Sequence, residues 1–292
     1  MQNQPIFVEK FRYLCRQSSS IGSWNLIYRY FLRGLHKITK TNQKMTLLNG
    51  VKMTLPHNSQ FGTELFLKRN KLDWGSETIF NRFLDPNKDF IDVGANIGYY
   101  SLLAAPLSRK VYSFEPDPRV IKHLEKNLLQ FKNCRIFKEA LFSEPGEMTL
   151  SLDPMSELSS MVKDSQGDKI TVKVNTLDNL MVEHPSLRVS CIKTDAEGAD
   201  FNILQGGKNL FIRDRPLILS EVYPNAKFFK FIRSIDYTCF AFARSKAENT
   251  DYPPAKFIKI DKQVTKQFRL KMVFLVPNRL LAKFEELTIA SK

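Results

Sequence analysis

Apolar positions in this chain first recur with a helical period. Phe7, Phe11 and Leu14 share one face, and after Ser18-Ser19-Ser20 a second stripe follows at Trp24, Ile27, Tyr28, Phe31 and Leu35. Arg29, Arg33, Lys37 and Lys40 lie among the aromatics. A helix of this kind is expected to pack on its own domain. The alternative use of a basic, aromatic amphipathic segment is peripheral contact with an anionic membrane. Between Met45 and Leu84, strand-like pieces such as Lys52-Met53-Thr54-Leu55 lead to a helix predicted over Ser76–Leu84, capped by Ser76 and ended by Asp85-Pro86.

From Asp89 the pattern becomes regular. A buried strand (Phe90 to Val93) precedes a helix from Ile97. A strand (Val111 to Phe114) then precedes a helix over Pro118–Phe131, and a further strand lies near Arg135-Ile136-Phe137. Strand and helix alternate, which predicts parallel βαβ units. After Ala140 two alternating segments, Glu147 to Leu152 and Ile170 to Val174, read as an inserted hairpin joined by a polar loop from Met155 to Asp168. The α/β rhythm resumes with a strand Val189 to Lys193, a helix Ala199–Ile212 and a strand Leu217 to Ser220. A helix near Ala226 to Ile235, a strand Thr238 to Phe242 and a last strand Lys271 to Val276 follow. The basic connection from Arg244 to Gln267 reads as a long loop and, with the Met155–Asp168 loop, as a place for acceptor specificity. The expected organisation is a basic N-terminal extension over 1–75 and an α/β domain over 76–292.

Composition narrows the class. With 292 residues, 43% of them hydrophobic and 23 phenylalanines, the chain has material for one large packed domain. A net charge of +14 favours acidic partners without choosing among nucleic acid, anionic glycans and lipid headgroups. Cys15, Cys134, Cys191 and Cys239 are widely spaced, with no zinc-ligand pattern, and read as free thiols of a reducing compartment. No apolar run reaches transmembrane length and residues 1–20 lack the apolar core of a signal peptide, so a cytoplasmic location is expected, peripheral to a membrane if the N-terminal helix binds one.

The sharpest chemical signal is Asp92-Val93-Gly94-Ala95-Asn96-Ile97-Gly98, a glycine-rich turn that leaves a hydrophobic strand and opens a helix. Glycines there let the backbone approach a ligand, and the helix N-terminus can hold a carboxylate. Glu115 closes the next strand, where α/β nucleotide sites place the acid that grips ribose hydroxyls. A dinucleotide fingerprint needs glycine where Asn96 stands, and no phosphate loop is present. An adenosine ligand with an anionic tail and no phosphate remains, and S-adenosylmethionine is such a ligand.

The run as a whole resembles the FkbM family of methyltransferases over about residues 74–223. The matching stretches are Phe90 to Gly98, Phe114-Glu115-Pro116-Asp117, Glu139-Ala140-Leu141, Asn175 to Asp178, Lys193-Thr194-Asp195-Ala196-Glu197-Gly198 and Glu221. The resemblance implies a Rossmann-like class I methyltransferase fold, a mostly parallel seven-stranded sheet flanked by helices. It also implies S-adenosylmethionine as cofactor, and O-methylation of sugars, glycans or related metabolites. Carried over by position, Asp92, Gly94, Ala95, Asn96 and Gly98 would surround the methionine end, Glu115 and Pro116 the ribose, and Glu139 and Ala140 the adenine edge. The family's D-x-E-G-[AG]-E ends here in Asp200 instead of glutamate.

Methyl transfer to a hydroxyl needs alignment and a proton acceptor. Asp195, Glu197 and Glu221, at the carboxyl ends of neighbouring strands, are the acidic groups placed for that chemistry, with Asp195 or Glu197 the expected base. The same three carboxylates have the donor type for Mg²⁺ or Ca²⁺, although no metal is expected. Glu77 matches a family glutamate, and any acid is also favoured at a helix start. Among the histidines, His57 alone lies where it could reach the site; His36, His123 and His184 read as structural. Two other functions compete. A nucleic-acid methyltransferase fits the charge but not strand four, which ends Asp195-Ala196-Glu197 in place of an acid or Asn followed by Pro-Pro and an aromatic; Asp251-Tyr252-Pro253-Pro254 has a different order. A non-catalytic scaffold of the same fold is the other.

Overall fold

The computed structural model describes residues 23–69, 72–152, 160–162, 167–247, 254–262 and 264–290. Phe7, Phe11, Leu14, Cys15, most of the predicted Met155–Asp168 loop and Asp251 to Pro253 fall outside them. The first half runs α1 (Ser23–Ile38), β1 (Gln43–Thr46), β2 (Lys52–Leu55), α2 (Gln60–Lys68), α3 (Ser76–Asn81), β3 (Asp89–Val93), α4 (Tyr99–Ala104), β4 (Val111–Phe114), α5 (Pro118–Leu128), β5 (Cys134–Phe137), β6 (Ala140–Leu141) and β7 (Gly146–Ser151). The second runs β8 (Lys169–Asn175), α6 (Leu177–Glu183), β9 (Val189–Thr194), α7 (Asp200–Gln205), α8 (Lys208–Asp214), β10 (Leu217–Ser220), α9 (Ala226–Ser234), β11 (Tyr237–Ser245), β12 (Lys256–Lys259), α10 (Val264–Gln267), β13 (Phe268–Pro277) and α11 (Leu281–Ala290).

The central sheet has the order β12-β11-β13-β10-β9-β3-β4-β5. Neighbours from β10 to β5 pair in parallel, whereas β13 runs antiparallel to both β10 and β11. Strands β3, β4, β9 and β10 are buried at every position, as expected of parallel strands covered on both faces. Their alternation divides the core. Phe90, Cys191, Leu217, Leu219 and Phe274 face one layer, and Ile91, Ile192, Ile218 and Leu275 the other. Asp117 caps α5 with Pro118 in its first turn, Thr176 caps α6 and Asn225 caps α9.

Several predicted details are corrected. The sheet has eight strands, not seven, because part of the Arg244–Gln267 connection forms β12, which pairs antiparallel with β11. Only Phe257 of that Lys-Phe-Ile-Lys strand is buried, at the edge of a cluster with Phe240, Phe274 and Phe284, so its pattern carries almost no periodicity. The predicted helix Ala199–Ile212 is two helices, broken at Gly206-Gly207. A Cβ on Gly206 would stand 2.2 Å from the Phe142 carbonyl oxygen, so the break is where the helix meets the chain entering the inserted sheet. Ser76 does not cap α3. The cap position is Gly75, and Glu77 accepts from the Asp73 and Gly75 amides instead. The inserted hairpin is present as antiparallel β7 and β8, with β6 added parallel to β8.

The N-terminal helix also differs from expectation. Its packed face consists of Leu26, Leu32 and Arg33, with Arg29 donating to the Leu67 carbonyl at 2.7 Å. Arg33 is 1% exposed and donates to Pro56 O, to Ser59 O at 3.1 Å and to Thr63 Oγ1 at 3.0 Å, which fixes α1 against α2. Trp24, Ile27, Tyr28, Phe31 and Leu35, expected to pack inward, are all exposed among the described residues. Two guanidinium clamps, which periodicity alone does not weigh, decide which face turns in. Farther along, Asn127 of α5 bonds both Thr54 N and Thr54 O of β2 and the Ile97 carbonyl, tying the segment before residue 76 to the glycine turn.

Candidate active site

The carboxyl ends of β3, β4, β9 and β10 open into a cleft. Gly94, Ala95, Asn96, Glu115, Pro116, Glu139, Ala140, Asp195, Glu197 and Glu221 line it, so most of the predicted residues converge. Gly94 is at φ +69°, and a Cβ on it would lie 1.9 Å from the Asp195 carbonyl oxygen. The β3 turn therefore packs directly on the chain leaving β9, and only glycine permits that approach. Asn96 also takes positive φ, at 51°; its side-chain oxygen accepts from Ile97 N at 2.7 Å. Gly98, the N-cap of α4, faces away: a Cβ there would meet Leu124 at 2.9 Å. It shapes the turn and does not line the cleft.

Glu115 ties the two strand ends together. One carboxylate oxygen accepts from Asn96 N at 2.8 Å, the other from Asp117 N at 3.0 Å. Burial pushes its pKa up to about 7, against the pull of those two amides. Each oxygen still has a lone pair to offer a hydroxyl in the cleft.

Asp92, which the resemblance places at the methionine end of the cofactor, does not line the cleft. It is fully buried: Oδ2 accepts from Ser101 Oγ at 2.6 Å, and Oδ1, which makes no hydrogen bond among the described residues, faces Lys193 Nζ at 3.7 Å. Its effect on the cleft passes through Lys193, which the sequence placed in a motif without assigning it a role. Lys193 Nζ donates to Gly94 O at 2.9 Å, stands 3.5 Å from Asp195 Oδ2 and lies over the Tyr100 ring. Burial would depress this ammonium, yet Asp195, Asp92 and Asp73 outweigh it and raise its pKa.

At the mouth, ligand oxygens of Asp195, Glu197 and Glu221 all lie within 4.8 Å of one another. Glu221 is exposed as a residue, but desolvation of its carboxyl within the cleft and the neighbouring charges of Asp195 and Glu197 raise its pKa. Burial pushes Asp195 upward too, but Lys193 and the hydrogen bond with Glu221 prevail and hold it below the ordinary value. The two neighbouring carboxyls are thus shifted in opposite directions, Asp195 down and Glu221 up. Glu197 sits at φ +48°, and its carbonyl accepts from Ser160 Oγ at 2.9 Å. With Met161 in the wall, the inserted segment thereby reaches the cleft.

Further lining residues come from segments outside the strand-end motifs. Gln60, Phe61 and Glu64 of α2 line the cleft, with Leu72, Asp73, Tyr99, Tyr100 and Lys271. Asp73 accepts from Tyr100 OH at 2.6 Å and pairs with Lys271 at 2.8 Å. Behind Asp73, Glu77 is pushed up to about 8, chiefly by burial and then by Asp73 itself. The helix-start acid at Glu77 was the one local hint of this network. His57 stays out: its Nδ1 faces Asn42 Oδ1 at 3.4 Å and it does not line the cleft. His184 packs on Tyr112 and Phe137.

These raised carboxyls predict a pH dependence. A group whose folded pKa exceeds its unfolded value of 4.5 stabilises the fold while protonated, and that contribution is lost as pH rises through the folded value. For Glu115 and Glu77 the loss falls between about pH 5 and about pH 8. The thermal midpoint of cofactor-free protein should therefore fall over that range in a scanning-fluorimetry series, and Glu77→Gln should flatten the slope. A wild-type midpoint that rises through this range would count against the assignment.

The parallel strand order with an antiparallel β13, and a glycine turn facing an acid on the next strand, are those of a Rossmann-like class I methyltransferase. The chain belongs to the FkbM methyltransferase family, whose domain model matches residues 92–248. S-adenosylmethionine is the cofactor of this class. Two curated relatives are similar: hexuronic acid methyltransferase AglP of Haloferax volcanii is 25% identical over 119 residues, 40% of this chain and 49% of the relative. Methyltransferase 1 of Beauveria bassiana is 26% identical over 152 residues, covering 41% and 59%. The chain thus spans about half the length of the curated relatives it matches. A crystal structure of Methyltransferase FkbM from Methylobacillus flagellatus aligns over 74% of this chain and 54% of its own, with 14% identity and a TM-score of 0.42. Among the described residues, no helix is long and apolar enough to cross a membrane.

Proposed function

We propose that this protein transfers the methyl group of S-adenosylmethionine to a hydroxyl of a sugar, glycan or related metabolite. The observation that carries the reading is the carboxyl cluster at the mouth, in which Asp195, Glu197 and Glu221 bring oxygens within 4.8 Å of one another. Carboxylates at this spacing suit a hydroxyl-rich acceptor. The name of the Haloferax relative points the same way, towards a hexuronic acid. The chain's net charge of +14 agrees with an anionic acceptor.

The cleft suits the cofactor. Glu115, with an unused lone pair on each oxygen, would take ribose hydroxyls, and Glu139 and Ala140 the adenine edge. The backbone from Gly94 to Asn96, with Lys193 beside it, would hold the charged tail. When bound, S-adenosylmethionine supplies a methyl carbon bearing a sulfonium leaving group. Asp195 would orient the acceptor hydroxyl towards that carbon and take its proton, the sulfonium serving as the leaving group. Glu221, beside Asp195 at the mouth, would fix its orientation. Glu197 is the further acceptor for a neighbouring hydroxyl.

The test is transfer from methyl-labelled S-adenosylmethionine to a panel of hexuronic acids, neutral hexoses, phenols and RNA, read by mass spectrometry. Methylated hydroxyl products, with uronic acids foremost, are expected. Transfer to RNA alone would replace this reading with a nucleic-acid one. Asp195→Asn should lower kcat by about 10²–10⁴-fold. Its KM for the cofactor should change far less, which separates a base from a binding residue.

A further inference from the structure

Helix α1 presents a surface that methyl transfer does not use. Trp24, Ile27, Tyr28, Phe31, Leu35 and Ile38 recur with the helical period along one face and are 85%, 55%, 62%, 67%, 49% and 80% exposed. Scattered exposed apolar residues are ordinary, but a contiguous stripe of this size marks a contact surface. The helix is not loosely placed. Arg29 and Arg33 clamp its other face to carbonyl groups bordering α2, so the stripe is held outward.

Charge identifies the occupant. Helix α1 contains no acidic residue, and Lys37, Lys40 and Lys44 are exposed at and beyond its end. The first 50 residues hold eight Lys or Arg and one acidic residue, a net +7 that is half the chain's total of +14. A second copy would bring two such positive segments face to face. Nucleic acid would match the charge but set six apolar side chains against phosphates. A lipid surface with anionic headgroups satisfies both features: aromatic and aliphatic side chains enter the headgroup boundary while lysines meet the negative charge. Trp and Tyr favour that boundary. Among the described residues no helix is long and apolar enough to cross a bilayer, and α1 has the form of a helix lying in its plane.

We infer that the exposed face of α1 docks this protein onto an anionic lipid surface. Helix α1 packs on α2, which supplies Gln60, Phe61 and Glu64 to the cleft wall, so docking would place the lipid surface on the α1 side of that wall. The inference does not depend on the acceptor being a sugar.

Flotation of the full-length protein with vesicles tests it, using phosphatidylcholine alone and phosphatidylcholine mixed equally with phosphatidylglycerol. The protein should float with the anionic vesicles only, lose binding in high salt, and show a blue shift of Trp24 fluorescence on binding. Ile27→Ser with Phe31→Ser should lower partitioning at least about tenfold. Both positions are exposed, so the thermal midpoint and S-adenosylhomocysteine binding should be retained. Lys40→Glu with Lys44→Glu should remove the preference for anionic lipid. Absence of flotation by the wild type, or flotation that the serine variant leaves unchanged, overturns the inference. So does a vesicle-free dimer that the serine variant dissociates, since the stripe would then belong to a second copy.

Discussion

Gly94→Ala is expected to lower stability by roughly 2–4 kcal/mol and to weaken S-adenosylmethionine binding by about a hundredfold or more. Two costs act together. Alanine at φ +69° is strained, and its Cβ would stand 1.9 Å from the Asp195 carbonyl oxygen, far inside van der Waals contact. Backbone atoms cannot rotate away as a side chain can, so the ends of β3 and β9 must separate. That separation also displaces Lys193, whose ammonium bonds the Gly94 carbonyl, and the Asn96 amide that engages Glu115. Chemical denaturation with calorimetry of S-adenosylhomocysteine binding measures both effects. Near-native stability in this variant would contradict the close approach of the two strands.

Lys193→Met is expected to be destabilised by about 3–5 kcal/mol at neutral pH, because it strands buried carboxylates. Methionine keeps much of the volume but removes the ammonium that faces Asp92 at 3.7 Å and Asp195 at 3.5 Å. Asp92, already raised by burial with Lys193 as its chief electrostatic support, should then bind a proton at still higher pH. The loss should shrink in acid, where the stranded carboxylates are neutral. Adding Asp92→Asn should restore part of the stability, so the two changes combine to less than the sum of their separate effects. Strict additivity in a double-mutant cycle would mean that Lys193 and Asp92 do not act as a pair.

Much of the fold is legible along the chain because buried parallel strands leave continuous apolar runs. Phe90 to Val93, Val111 to Phe114, Val189 to Lys193 and Leu217 to Ser220 each fall within observed strands. Where a single contact outweighs periodicity, the reading fails. The Gly206–Phe142 approach splits one predicted helix into two, and Phe257 anchors an edge strand through one side chain. Arg33 turns in a face of α1 that is less apolar than the one left in water. The cleft divides in the same way. Its glycine turn, Glu115, Glu139 and the three mouth carboxylates sit in compact motifs at strand ends, so sequence order places them together. Gln60, Phe61, Asp73 and Lys271 reach it from distant segments, and Lys271 meets Asp73 across 198 positions of sequence. Nothing local announces such a contact. Asp92 shows the opposite limit: its motif is informative, but the carboxylate points into the core and supports the cleft through Lys193.

The central claim is that this cleft holds S-adenosylmethionine, and calorimetric titration of the purified protein with S-adenosylmethionine and S-adenosylhomocysteine tests it most directly. The wild type should bind both with a Kd on the order of micromolar. A folded Glu115→Ala variant should lose that binding, and an Asp92→Ala variant should be impaired through displacement of Lys193. A folded wild type that gives no binding heat at several temperatures and no ligand-induced thermal shift would contradict the account, as would full affinity in Glu115→Ala.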